Sequence, residues 1–464
     1  MNSNYKIHFE ISERKLLLKG FDVIFVLISL FLISSIFKFN YFTFIATDFY
    51  WAIVLAVYIN IFGSVFETYN LQVASNQSQI IKSIILSTST TVLFYLLTPI
   101  YTPSLPTNRL QIIIFYFTIL STLLAWRLFY ANFLASYRFA KNAILVCDKE
   151  QLIELVTDLE SVDPHYKIIG FVNSDGEDTF TIDFNAIKNI NADELVEYVR
   201  NNSISEIVIA TQKTDGITVL LYNQLIHLLE NGVYIKEYTQ LYETITQRIP
   251  VQYVSRDFYR YFPFSRNNQN QLYLTATRII DVVFSIIGLL IGLGFLPLIL
   301  IGNLFGNRGR LFYEQERIGK NGKVFQIYKF RTMIKNAEKN GAVFTTSNDV
   351  RVTSFGKFLR KTRLDEFPQF FNILKGEMAI IGPRPERPIF VTEIAEVMPF
   401  YETRHVIKPG LTGWAQVNYA YGDSVADSLV KLQYDLYYIK HRSIFLDITI
   451  FVKTLSTVMF FRGQ

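Results

Sequence analysis

"IIDVVFSIIGLLIGLGFLPLILIGNLF", Ile279 to Phe305, is the stretch on which the architecture turns. As one straight helix of about 27 residues it would reach roughly 40 Å, enough to cross a bilayer core. Yet Arg278 stands before it and Arg308 and Arg310 after it, and cations at both ends favour keeping both ends on one side. Pro297 removes a backbone donor and crowds the preceding turn, so a sharp bend is expected there, while Gly288, Gly292 and Gly294 ease close packing. The segment is therefore read as re-entrant over residues 275–305, with its break at Leu296-Pro297. The competing reading is an ordinary fifth crossing, which would put everything downstream on the opposite face.

Downstream, "RLFYEQERIGKNGKVFQIYKFRTM" carries Asn321-Gly322, a two-residue hairpin signal between alternating runs. The period of two puts Lys329 and Arg331 on one face, roughly 7 Å apart, a spacing suited to a diphosphate. A solvated edge strand guarded by cations is the alternative. Then comes "TRLDEFPQFFNILKGEM", where Asp365 and Glu366 follow Lys357, Arg360, Lys361 and Arg363 and precede a helix opened by Pro368 and ended near Gly376. A pair of acids at a helix N-terminus is ordinary. So many cations nearby, however, are expected to depress both carboxyl pKa values and keep both acids ionised, as suits a nucleophile or metal ligand. "GPRPERP" holds Arg384 between Pro383 and Pro385, leaving its backbone little freedom to lose. Arg404, His405 and Lys408 precede a Pro409-Gly410 turn. Leu429, Leu432, Leu436 and Ile439 recur at helical spacing, with Asp435 at the edge of that stripe, where it needs a cationic or metal partner. "IFLDITIFVKTLSTVMFF" fits an amphipathic helix along a membrane surface.

Upstream, four apolar stretches read as transmembrane helices: Leu16 to Phe37, Phe49 to Phe66, Ile80 to Tyr101 and Leu110 to Phe133. Lys6, Arg14, Lys15, Lys19, Lys82, Arg138 and Lys141 fall on one side against Lys38 and Arg109 on the other, which places the N-terminus and all that follows the fourth helix in the cytoplasm. Between them and the re-entrant segment, short strands alternate with helices from "NAILVC" to "VYIKE", a Rossmann-like parallel pattern. A dinucleotide site would need a glycine turn after the first strand, but the turn is Cys147-Asp148-Lys149-Glu150. The domain is read as structural, regulatory or an assembly surface, and the isolated His165 and His227 as packed or surface residues. The domains are 1–138 (four-helix membrane domain), 139–250 (Rossmann-like), 251–272 (linker) and 273–464 (catalytic).

Half of the 464 residues are hydrophobic, a membrane-associated composition. The net charge of +5 is too small to argue for nucleic acid. A single cysteine excludes an intramolecular disulfide and a cysteine-based zinc cluster. Cations, three acids and no soft-metal cluster suit phosphate with Mg²⁺.

At "YKFRTM", "LRKTRLDEFPQFFNILKGEM", "GPRPERP" and "KPGLTGWAQVN" the chain resembles the bacterial sugar transferases, polyprenyl-phosphate hexose-1-phosphate transferases of the large monotopic phosphoglycosyl transferase kind. The resemblance covers Leu272 to Gln464, and the upstream helices and Rossmann-like domain look like those of the large members. It implies a membrane helical bundle of four transmembrane helices, an α/β Rossmann-like cytoplasmic domain and an α+β transferase domain with a re-entrant helix, in the bacterial inner membrane. It implies transfer of a sugar 1-phosphate from a UDP-sugar, UDP-glucose or UDP-galactose first, to undecaprenyl phosphate with release of UMP, starting an exopolysaccharide, capsule or O-antigen. Asp365 would be the nucleophile and Glu366, with Asp365, the Mg²⁺ site. Lys329, Arg331, Arg363, Arg384 and Arg404 would clamp phosphate, with Asp435 orienting one of them. A homodimer is implied by the resemblance alone. The competing function is a catalytically silent scaffold of a polysaccharide assembly complex that binds anionic lipid through its basic face.

Overall fold

The computed structural model of the chain describes residues 11–37, 39–42, 49–70, 73–74, 77–134, 141–160, 166–174, 187–202, 204–211, 217–251, 268–307, 309–335, 337, 349–398, 400–419 and 425–459. His165, most of the linker, and the flanking cations Lys6, Lys38, Arg138 and Arg308 lie outside the described residues. The chain divides into two compact units, Met1–Thr246 and Gln247–Gln464.

In the first unit, helices α1 (Ile11–Ile36), α2 (Phe49–Val65), α3 (Gln77–Leu97) and α4 (Leu110–Phe129) share an aromatic-rich core around Phe42, Tyr95 and Phe115. Glu13–Ile36, Gln77–Leu97 and Leu110–Phe133 are long and apolar enough to cross a membrane, whereas Phe49–Val65 has only 17 residues. The second helix stops there because Glu67 takes a left-handed turn, with φ 59, and the Thr68 N–H closes back on the Gly63 carbonyl at 2.9 Å. A buried ion pair crosses the bundle, a feature missed in the sequence. Arg127 on α4 donates from Nε and Nη2 to the two oxygens of Asp22 on α1, at 2.8 and 2.6 Å, and from Nη1 to the Thr68 carbonyl at 3.0 Å. In an apolar stretch each charge would be costly alone, and the bidentate pairing offsets much of that cost.

The same unit holds a parallel five-stranded sheet of β1 (Lys141–Cys147), β2 (Tyr166–Asn173), β3 (Lys188–Asn189), β4 (Glu206–Ile209) and β5 (Tyr234–Glu237), ordered β3-β2-β1-β4-β5. Helices α5 (Leu152–Glu160), α6 (Leu195–Asn201), α7 (Val219–Glu230) and α8 (Tyr238–Thr246) accompany it, so the alternating pattern becomes the expected layered fold. Thr218 starts α7 by accepting from the Leu221 N–H.

The second unit begins with residues 247–251, since Ile249 and Val251 belong to its core and the Ile249 N–H bonds the Gln433 carbonyl at 3.1 Å. Helix α9 (Gln271–Gly302) is capped by Asn270, whose side chain accepts from the N–H groups of Leu272 and Tyr273. It continues through Pro297 and ends in a π-helical turn, Asn303–Asn307, so the expected break at Leu296-Pro297 is not a helix end. Proline removes one hydrogen bond, and packing on both sides holds the helix together here. Phe367 lies on Gly292, Ile299 is in an apolar cluster with Phe330, Leu359 and Leu364, and Phe355 lies on Gly302.

Strands β6 (Phe312–Ile318) and β7 (Val324–Phe330) form an antiparallel hairpin. Its turn fulfils the Asn-Gly signal in part: Asn321 and Gly322 both have positive φ, 57 and 73, within a loop closed by the Gly319 N–H to the Lys323 carbonyl. There follow α10 (Ser354–Lys361), α11 (Gln369–Lys375), β8 (Ala379–Ile381), α12 (Pro388–Val397), β9 (Gly410–Thr412), α13 (Trp414–Asn418), α14 (Val425–His441) and α15 (Ile444–Met459). Leu432, Leu436 and Ile439 of the α14 stripe are fully buried in the main core with Trp414 and Tyr401. On α15, Phe451 packs on Phe284 of α9, while Phe445 is 84% exposed.

Candidate active site

The acid pair is placed by a turn between two helices that face α9. Thr353 caps α10 through the Gly356 N–H, and α10 ends when Arg363 adopts φ 60, a conformation strained for any residue with a Cβ. That reversal starts a single 3₁₀ turn, Leu364–Glu366, so the acids occupy a turn of their own and α11 starts only after Pro368. Leu364 and Phe367, on either side of the pair, both pack towards α9. Gly376, at φ 86, ends α11 where expected, and Arg278 of α9 donates to the Ile373 and Leu374 carbonyls there, each at 2.6 Å. The acids are thus braced against the long apolar helix by the side chains beside them and by the far end of the following helix.

Both carboxylates are buried, but the cations are shared unequally. Glu366 receives three: Lys329 Nζ at 3.2 Å and Arg384 Nη2 at 3.6 Å on Oε1, and Arg363 Nη1 at 3.3 Å on Oε2. Burial opposes its charge, yet Lys329, Arg384 and Arg363 hold it well below the usual carboxylate range. Asp365 has a buried Oδ1 with no hydrogen-bond partner among the described residues. Burial, with the Glu366 charge adding to it, pushes Asp365 up to about 6, although Lys329, Arg360 and Arg363 offset part of the rise. The expectation that both acids would be depressed therefore holds for Glu366 and fails for Asp365, because direct contacts with the cations go to its neighbour. Near neutral pH the result is an ionised, weakly solvated carboxylate beside a cluster of positive charge, an arrangement able to attack an electrophilic phosphorus.

The Pro383–Pro385 loop is anchored through its carbonyls. Pro383 O accepts from the Gly410 N–H at 2.9 Å, Arg384 O from Arg404 Nη2 at 3.0 Å, Pro385 O from Arg317 Nη1 at 3.0 Å and Glu386 O from the Ile318 N–H at 2.9 Å. Asp435 finds the cation it needs in Arg404, at 2.7 Å with both side chains buried. Arg404 also reaches the Tyr401 hydroxyl, so its donors face protein, and it braces Arg384 from behind. Arg331 lies beside Tyr313, the residue paired opposite Lys329 across the hairpin. It follows the last strand residue, donates from Nε to the Arg310 carbonyl at 3.0 Å and stacks over Tyr313 at 5.8 Å. The structure thus gathers Lys329, Arg363, Arg384, Asp365 and Glu366, with Arg404 and Asp435 behind them.

Sequence reasoning missed Asn372 and Arg317. Asn372 is fully buried and ties α11 to β7, accepting from the Tyr328 N–H at 3.1 Å and donating to the Gln326 carbonyl at 2.7 Å. Its only sequence signal is an amide inside the apolar run "FFNIL". Among the described residues, no three His, Cys, Asp or Glu side chains gather as a metal site. Two adjacent carboxylates, one with a free oxygen, nevertheless fit a hard cation such as Mg²⁺, which takes its other ligands from phosphate and water.

At the carboxyl edge of the parallel sheet, Asp148 precedes the first turn after β1, bonds the Ser174 hydroxyl, and is followed by Glu150 in that turn. Lys149 stands between the two acids, so the turn has a net negative charge and no glycine that would let a phosphate approach its backbone closely.

Two family models match the chain: "bacterial sugar transferase" over residues 272–461 and "CoA-binding domain" over residues 64–231. The acids after β1 do not fit the phosphates of a coenzyme A at that edge. The chain is 38% identical over 223 residues, 47% of its length and 51% of the relative's, to a UDP-N-acetylgalactosamine-undecaprenyl-phosphate N-acetylgalactosaminephosphotransferase of Aeromonas hydrophila. It is 34% identical over 284 residues, 58% of its length and 55% of the relative's, to a UDP-glucose:undecaprenyl-phosphate glucose-1-phosphate transferase of Xanthomonas campestris pv. campestris. It is also 43% identical over 153 residues, 32% of its length but 86% of the relative's, to a putative undecaprenyl-phosphate N-acetylgalactosaminyl 1-phosphate transferase of Bacillus subtilis. The chain thus spans about half the length of the first two relatives and most of the third.

Proposed function

The chain belongs to the bacterial sugar transferase family, and from that premise we propose that it transfers a sugar 1-phosphate from a UDP-sugar to undecaprenyl phosphate, with Asp365 as a covalent carrier. One observation carries this reading: a buried carboxylate oxygen without a partner among the described residues, beside a glutamate held by three cations.

In the first step an Asp365 oxygen attacks the sugar-bearing phosphorus. The bond from that phosphorus to the bridging oxygen breaks, and UMP leaves with the electron pair. In the second, an oxygen of undecaprenyl phosphate attacks the aspartyl phosphosugar and the carboxylate departs, regenerated. Lys329, Arg363 and Arg384 oppose the charge that spreads over the transferring phosphoryl group, and because they are already fixed on Glu366 they need little reorganisation. Asp365 and Glu366 would hold Mg²⁺, which supplies Lewis-acid neutralisation of the diphosphate when bound.

The site's flank supports a catalytic unit seated on the cytoplasmic face of the inner membrane. Helix α9, about 48 Å long at 1.5 Å per residue, touches its own unit from Tyr273, bonded to Asp447, through Gly288 and Gly292 to Gly302. Its opposite face exposes Ile279, Val283, Ile286, Leu290, Leu293 and Ile301. A simple crossing would leave lipid on all sides of the middle, so a helix that dips into one leaflet fits better.

The test is retention of label. With a radiolabelled UDP-sugar and no lipid acceptor, the protein should keep the sugar phosphate on Asp365 and release about one UMP per site. Active protein that turns over without any adduct would reject the two-step route. A panel of UDP-sugars, glucose, galactose and N-acetylated forms first, identifies the donor through UMP release.

A further inference from the structure

We infer that Arg317 is a positioning residue for this transfer: from β6 it holds the 383–386 segment so that the Arg384 guanidinium faces Glu366. The inference rests on the proposed reading of the acid pair. Pro383 and Pro385 have no N–H, so the segment between them can be secured mainly through its carbonyls. Arg317 donates to the Pro385 carbonyl at 3.0 Å and pairs with the Glu386 carboxylate at 3.4 Å, while its other amino group binds Gln315 Oε1 at 2.6 Å. Only a fork can engage a carbonyl and the next side chain together while tethered to its own strand, and lysine lacks one. The next residue, Ile318, adds its N–H to the Glu386 carbonyl at 2.9 Å.

The hairpin also explains why this matters for the acids. Its other strand carries Lys329, which reaches Glu366 Oε1 at 3.2 Å, the same oxygen that Arg384 meets at 3.6 Å. One rigid β-ribbon thus delivers one cation directly and the other through Arg317, and both arrive at one oxygen. Arg404 holds the adjacent Arg384 carbonyl, so two guanidinium groups secure consecutive carbonyls of the segment.

The experiment uses the full chain in lipid nanodiscs. Arg317→Gln and Arg317→Lys should each lower kcat for UMP release by about 10- to 100-fold, the effect of a catalytic group displaced by about 1 Å. On an Arg384→Ala background, Arg317→Gln should change kcat less than about twofold, since the group it positions is gone. An equal loss on both backgrounds would overturn the proposal, and so would full activity in Arg317→Lys. A structure of Arg317→Lys provides a readout independent of turnover. Arg384 displaced from Glu366 supports the inference, and the contact kept at 3.6 Å refutes it. Wild-type protein that releases no UMP from any donor defeats the transferase reading instead, and the structural comparison still decides the role of Arg317.

Discussion

Asp365 and Glu366 are neighbours in the chain and opposites in environment, so their substitutions should behave differently. Asp365→Asn should abolish UMP release and sugar-phosphate retention without unfolding the protein. Asp365 has a folded-state pKa of about 6, above its unfolded value of about 3.9. Its contribution to stability is therefore present at low pH and is lost as pH rises from about 4 to about 6. Asp365→Asn should accordingly raise the melting temperature at pH 8 and change it little at pH 4, as measured by differential scanning fluorimetry. Wild-type activity should climb as pH rises through about 6, where the nucleophile ionises. Glu366→Gln leaves Lys329 buried without its counter-charge, and burial already pushes that lysine's pKa down. It should destabilise the protein by about 3 kcal/mol. At Arg363 two effects separate: Arg363→Gly relieves the left-handed strain, so it should be more stable than Arg363→Ala by about 1 kcal/mol, while both lose the Glu366 contact.

Helix α9 shows what glycine does within an element. Phenylalanine rings lie on Gly288, Gly292 and Gly302, whereas nothing lies within 4 Å of a Cβ at Gly294. Gly294→Ala should be tolerated or stabilising by up to about 1 kcal/mol. Gly288→Leu should force Phe370 aside and cost several times as much, measured by thermal aggregation in detergent. The bundle offers a parallel case in Asp22 and Arg127. Asp22→Asn or Arg127→Leu alone strands one member of a buried pair, and replacing both with leucine should recover much of the loss.

For the molecule as a whole, the exposed prediction is topology. A cysteine at the exposed hairpin position Lys320, in a Cys147→Ser background, should react with a membrane-impermeant maleimide only after the cytoplasmic side is opened. Labelling from outside would restore the fifth crossing and remove the catalytic unit from cytoplasmic nucleotides.

Periodicity and turn chemistry made much of the architecture legible without coordinates. Runs near twenty apolar residues marked the long apolar helices, alternating strands and helices marked the parallel sheet, and Gly376 and Asn321-Gly322 marked a helix end and a hairpin. These signals are local: each depends on a few consecutive residues and the dihedral angles they favour. The sequence also flagged Asp435 as a charge in need of a cation, without naming Arg404. Tertiary structure alone decided how the cations are shared, since Lys329, Arg363 and Arg384 approach one carboxylate from three separate segments and leave its neighbour, among the described residues, without a direct ion pair. It likewise carried α9 through Pro297, because contact energies between distant segments outweighed a local preference that favoured a break.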